Sequence, residues 1–122
     1  DALETLLLNL FYAGRLQAMP ARYRTVDGRF EVIRPLIECA ETDITAHSEA
    51  RNYPIIPCNL CGSQDKLKRV EVARLLAELE ENNPGLRQVM LSAIGNVRPS
   101  HLLDREVAAA WDEAAGRYKP RR

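Results

Sequence analysis

Two cysteines three residues apart, entered through Pro54 and Pro57 and left through Gly62, constrain this chain more than any other feature. In Pro54-Ile55-Ile56-Pro57-Cys58-Asn59-Leu60-Cys61-Gly62, each proline biases the residue before it toward an extended conformation. The pattern predicts a short edge strand at Ile55 and Ile56 that runs straight into Cys58. Gly62 supplies the positive φ that a chain needs to turn back over bound sulfur or metal. A rigid approach to a tight turn presents two thiolates to one metal ion or one sulfur atom. The chain before it builds a platform, and the chain after it reads as helix.

Cys39, Cys58 and Cys61 are the only cysteines, too few and too unevenly placed for a secreted disulfide framework, which favours a reducing, cytoplasmic setting. A structural zinc site takes four cysteine or histidine ligands, and this sequence offers one CxxC without a second pair. Further ligands to Cys58 and Cys61 would come from elsewhere. The 122 residues, 46% of them hydrophobic, suffice to bury a core, and the formal net charge of zero gives no global attraction to nucleic acid. No apolar run is long enough for a bilayer span, no signal peptide is evident, and no membrane partner is expected. The sequence starts at Asp1 within a helical pattern and without methionine, so a piece of a longer protein is expected.

Leu3, Leu6, Leu7, Leu10 and Phe11 recur at helical spacing and predict an amphipathic helix over residues 1 to about 13, closed by Gly14. Asp1, Glu4 and Thr5 fall on its other side, where acids in a first turn complement the helix dipole. Arg22 to Val26, Asp27-Gly28 and Arg29 to Arg34 predict a β-hairpin. Arg15, Arg22, Arg24, Arg29 and Arg34 face only Asp27 and Glu31 in this stretch, which fits either the wet side of a hairpin or contact with RNA phosphates. A helix follows from Glu41 to about Asn52, carrying His47 as a surface or packing residue. Strand, helix and the Ile55-Ile56 strand together suggest the tail of an α/β sheet.

Three helical stripes come next. Val72, Leu75, Leu76 and Leu79 mark a helix from about Lys66 to Glu81, broken by Asn82-Asn83-Pro84-Gly85. Leu86, Val89, Met90, Ala93 and Ile94 mark the second, ending at Gly95-Asn96. Leu103, Val107, Ala110, Trp111 and Ala114 mark the third, with Trp111 read as a packing residue. The basic tail Arg117 to Arg122 either touches RNA or solubilises the chain. The expected division is residues 1–64, carrying the hairpin and the cysteine motif, and a helical region over residues 65–122.

A working CxxC needs a lowered thiol pKa, and the helix beginning near Lys66, with Lys66, Lys68 and Arg69, supplies positive charge for that. Three roles stay open on the residues alone: a redox dithiol, half of a zinc site, or an iron-sulfur or persulfide site completed by another segment. The Pro-Ile-Ile-Pro approach is unlike a thioredoxin-type dithiol.

The ten residues Ile55 to Gln64 resemble the second cysteine motif of the tRNA 2-thiocytidine synthetases, the tRNA-cytidine 2-sulfurtransferases of the PP-loop ATPase superfamily. Asp1-Ala2-Leu3-Glu4-Thr5, Phe11-Tyr12-Ala13-Gly14, Met19-Pro20, Val32-Ile33-Arg34-Pro35-Leu36 and Asn96-Val97-Arg98-Pro99-Ser100-His101-Leu102 follow the same family order. The resemblance runs to about Asp104. It implies the carboxy-terminal part of a PP-loop (adenine nucleotide alpha hydrolase-like, Rossmann-like) α/β domain with a helical region after it. The family's Ser-Gly-Gly-Lys-Asp-Ser phosphate loop and an earlier CxxC are not in this sequence, so this piece alone is expected to be inactive.

The resemblance further implies ATP, Mg2+ and a [4Fe-4S] cluster as cofactors, and as partners tRNA and a sulfur donor such as a cysteine desulfurase; a homodimer is left open. The cytosine C2 carbonyl is a poor electrophile, so in this family ATP adenylates its oxygen and AMP departs as sulfur attacks. The motif match assigns Cys58 as a cluster ligand and sets Cys61 beside it as a catalytic neighbour. Asp1 matches an acidic position near the nucleotide, acting through magnesium. Cys39 matches no ligand and is expected to be a buried or neutral thiol. Two alternatives remain from the sequence: a non-catalytic zinc- or RNA-binding module, and a PP-loop enzyme thiolating another tRNA base.

Overall fold

The computed structural model describes residues 1–56 and 64–115, with only the backbone at Gln64. Helix α1 spans Ala2–Leu8 and continues as one π-helical turn, Asn9–Ala13, before strands β1 (Arg22–Arg24) and β2 (Glu31–Ile33). Helices α2 (Glu41–Ala50), α3 (Gln64–Asn82) and α4 (Leu86–Ile94), a 3-10 turn at Pro99–His101 and helix α5 (Arg105–Ala115) complete the order. The chain divides into two compact units, Asp1–Leu91 and Ser92–Arg122. In the second, α5 packs on the 3-10 turn.

The first unit is centred on α1 against α3. Leu3 and Leu7 on α1 and Val72 and Leu76 on α3 are each spaced i, i+4, so each pair projects from one helix face, and these four with Ala2 form the buried apolar core. Polar contacts rim that seam. The Tyr12 hydroxyl donates to Glu71 Oε2 at 3.3 Å, the Lys68 ammonium lies 4.8 Å from the Tyr12 ring centroid, and Arg69 meets Glu4 at 3.5 Å. The predicted first helix is therefore divided, its second half wound as a π turn that brings Tyr12 within reach of α3. Gly14 ends it as expected, at φ +62°, where nothing within 4 Å would oppose a Cβ and only the left-handed backbone demands glycine.

Thr5 lies against this seam with its Oγ1 buried and without a hydrogen-bond partner among the described residues. An unpaired buried hydroxyl keeps its desolvation cost and returns nothing. Thr5→Val is expected to leave stability unchanged or raise it by up to about 1 kcal/mol, read from the urea midpoint. A fall of the same size would show that the hydroxyl is satisfied in solution.

The hairpin forms where Asp27-Gly28 places it, but its strands are three residues each, shorter than predicted. Pairing is antiparallel, with Tyr23 opposite Val32 and Arg24 opposite Glu31. Thr25 N donates to Phe30 O at 2.9 Å and closes the loop. Within it the Thr25 hydroxyl and the Arg29 N–H bond the Asp27 carboxylate, and in that order they hold its pKa below 3.8. A depressed carboxylate pKa contributes stability above the unfolded value and loses it as pH falls through the folded one. The loop should accordingly be unchanged from neutrality down to pH 3.8 and loosen only below it, followed at the Gly28 amide, which donates to Thr25 O. Asp27→Asn should flatten that acid limb.

Several expectations are corrected. Ile55 and Ile56 form no strand: both are exposed, Ile56 at 89%, and the described sheet contains β1 and β2 alone. The prolines extend the backbone there, but an extended segment becomes a strand only with a ladder partner. The described residues thus give a helix-rich fold with one two-stranded antiparallel sheet, consistent with part of an α/β fold. Leu75, Leu79 and Val89 are exposed despite lying on apolar stripes, and Leu103, outside α5, is exposed too. Trp111 keeps 38% of its surface exposed and is not a packed core residue. The predicted tail, Arg117 to Arg122, lies outside the described residues.

Candidate functional site

An open cleft of about 1190 Å3 in the first unit is walled by the start of α1, the turn at residues 37–40, α2, the end of α3 and the start of α4. Its lining is strongly acidic. Asp1, Glu4 and Glu41 each bring a carboxylate oxygen within 4.8 Å of the other two. Two helix beginnings make this happen: Asp1 caps α1, and Glu41 opens α2 after the extended Ala40. Partial positive charge at both helix N-termini eases the crowding of like charges. Glu4, one turn into α1, is buried at 8% exposure and is held by Arg69. Arg87, the arginine in the lining, is engaged by Glu80 at 2.7 Å.

Three clustered carboxylates offer oxygen donors only. Such a set suits a hard divalent cation such as Mg2+ better than zinc or an iron-sulfur cluster, which favour nitrogen and sulfur donors. The residues therefore fit the magnesium that the family resemblance implies, with Asp1 as the ligand expected from the sequence. Glu4 was read only as a first-turn acid complementing the helix dipole, and Glu41 was not singled out. Glu4 sits beside Leu3 on the boundary of the apolar face, and its burial follows from how α3 packs rather than from any period in the sequence. Glu41 is far along the chain and reaches the cluster only through the tertiary fold.

Cys39 is exposed and free on the rim of the same cleft, which corrects its expected burial. His47, exposed on α2, sets its ring edge-on to Tyr53 at 5.8 Å and takes no part in the cluster. Cys58 and Cys61 lie outside the described residues. Of the cations expected to favour their thiolates, Lys68 and Arg69 are engaged by Tyr12 and Glu4 on the α1 side.

Known proteins similar to this chain share one name. A tRNA-cytidine(32) 2-sulfurtransferase of Sorangium cellulosum is 51% identical over 126 aligned positions, covering 93% of this chain and 44% of the relative. One of Anaeromyxobacter dehalogenans is 50% identical over 96% of this chain and 40% of the relative. By sequence, about nine-tenths of the chain is similar to part of the tRNA-cytidine(32) 2-sulfurtransferases. A further tRNA-cytidine(32) 2-sulfurtransferase, of Hyphomonas neptunium, is 55% identical over 88% of the chain and 36% of its own length. The chain spans less than half the length of these three relatives. No protein-family model matches it, and no solved structure matches it. No helix among the described residues is long and apolar enough to cross a membrane.

Proposed function

We propose that this chain is part of a cytoplasmic enzyme that transfers sulfur to C2 of a cytidine in the anticodon loop of tRNA. The observation that supports it is identity of about half, across about nine-tenths of the chain, to proteins named for that transfer. In this reading the described residues are the carboxy-terminal part of a PP-loop domain and its helical region, and ATP is the activating substrate. Asp1, Glu4 and Glu41 hold Mg2+, which when bound neutralises the phosphate charge of the nucleotide. Arg69 keeps the buried Glu4 carboxylate in place and compensates its charge while the cleft is open. Cys58 is a ligand of a [4Fe-4S] cluster, which when bound supplies an iron for the incoming sulfur, and Cys61 stands beside it. The sulfur comes from a persulfide donor such as a cysteine desulfurase.

Nucleosides from tRNA of a strain lacking the gene decide the matter. Mass spectrometry should find 2-thiocytidine absent and restored by the intact gene; undiminished 2-thiocytidine would overturn the reading, and loss of a different thiolated base would reassign the substrate. The metal site has its own test. Glu41→Gln should weaken Mn2+ binding roughly ten-fold or more, measured by electron paramagnetic resonance, and unchanged affinity would remove Glu41 from the site.

A further inference from the structure

Strands β1 and β2 pack on each other and on no other described element. A two-stranded ribbon alone is marginal in water, so its exposed side chains invite a partner. The cross-strand register sorts them into two faces. Tyr23 and Val32 share one, extended by the Thr25-Phe30 and Ala21-Arg34 backbone bonds to include Phe30 and Arg34. Arg22, Arg24, Glu31 and Ile33 share the other. Phe30 is 66% exposed and Ile33 63%, so neither face is covered by the described residues.

Charge then selects the partner. The stretch from Arg15 to Arg34 holds five arginines against Asp27 and Glu31, in a chain whose formal net charge is zero. Both acids are already engaged, Glu31 by Arg22 and Asp27 by Arg29. Arg15, Arg24 and Arg34 meet no carboxylate among the described residues. Arg34 is moreover held in position: its guanidinium lies 5.1 Å from the Tyr23 ring centroid, and Nη1 donates to Pro20 O at 2.8 Å. The other donors of that fork stay available, a preorganised arrangement for a phosphate. Cations flanking exposed aromatic rings match what unpaired RNA presents, phosphates beside stackable bases. The acidic cleft of the same unit has the opposite sign and would repel it.

The geometry points to the β1–β2 hairpin as an RNA-docking ribbon, in which Arg34 contacts a phosphate while Tyr23 and Phe30, on the same face, stack on unpaired bases of the tRNA. This rests on the proposed tRNA substrate and names the surface that holds it. Each arginine–phosphate contact releases condensed counterions, so its loss both weakens binding and flattens the salt dependence.

The test is binding of a fluorescent tRNA transcript to the complete gene product across a salt series. An Arg34→Glu variant should bind about five-fold more weakly at 0.1 M salt, with the slope of log affinity on log salt shallower by about 0.7. Phe30→Ala should weaken binding and leave the slope as it was, and Arg51→Glu, an exposed charge outside the hairpin, should change neither. Hairpin variants with wild-type affinity and slope overturn the proposal, as does a wild-type protein that binds no RNA. If those variants instead lose self-association in sedimentation while binding RNA normally, the ribbon is a contact between copies and the proposal fails. A protein that binds tRNA through the hairpin, from a strain whose 2-thiocytidine survives gene deletion, keeps the docking surface and discards the thiolation reading.

Discussion

Cys58→Ala is expected to reduce 2-thiocytidine in tRNA to the level of a strain lacking the gene, and to lower the iron and sulfide content of the anaerobically purified complete protein. The reason is chemical: a thiolate is the ligand that cluster iron accepts, and alanine offers no donor atom. Cys61→Ala is the informative contrast. It should retain iron and sulfide, because the motif match assigns the ligand to the first cysteine of the pair. Full cluster content in Cys58→Ala would transfer the ligand role elsewhere. Serine at position 58 sharpens the test further, since a hard oxygen of nearly the same size binds cluster iron poorly and should behave like alanine.

What the sequence disclosed depended on how local each feature is. Gly14, Asp27-Gly28 and Gly85 mark chain reversals through backbone geometry that neighbouring residues impose, and each turn lies where it was expected, with all three glycines at positive φ. The helices at Gln64–Asn82 and Leu86–Ile94 were equally legible from their apolar stripes and breakers, and the helix at Glu41–Ala50 also lies where it was expected. Pairing was not. Nothing in Ile55 or Ile56 states whether a second strand lies alongside, so β-branched residues between prolines were read as a strand that the described fold lacks.

The site divides along the same line. Asp1 was identified by motif, and Glu4 shares its helix face by spacing, but Glu41 joins them only through the placement of α2, which no spacing encodes. Cys39 shows the converse: burial was one of its two expected states, and the turn from Leu36 to Cys39, closed by Cys39 N donating to Leu36 O at 3.0 Å, leaves it on the cleft rim. Arginines on the hairpin were visible as a count, but only the register reveals which of them remain without an acid.

Leu76→Ala should be the most damaging core substitution, costing about 3 kcal/mol in the two-state urea unfolding of the protein. Four apolar residues mark the stripe of α3, yet Leu76 is fully buried, Val72 nearly so, and Leu75 and Leu79 are 37% and 42% exposed. Removing a buried leucine forfeits the transfer free energy of its methyl groups and leaves a cavity that the neighbours only partly fill. Here the cavity would open on the seam that positions α1. That helix carries Asp1 and Glu4, so the same substitution should weaken Mn2+ binding at the acidic cluster even under conditions where the protein stays folded. Leu75→Ala, three-fifths or so as buried and off the seam, should cost about 1 kcal/mol or less and leave metal binding alone. Equal losses for the two leucines would mean that the stripe is buried as a whole, as its periodicity suggested, and that α3 packs a second element besides α1.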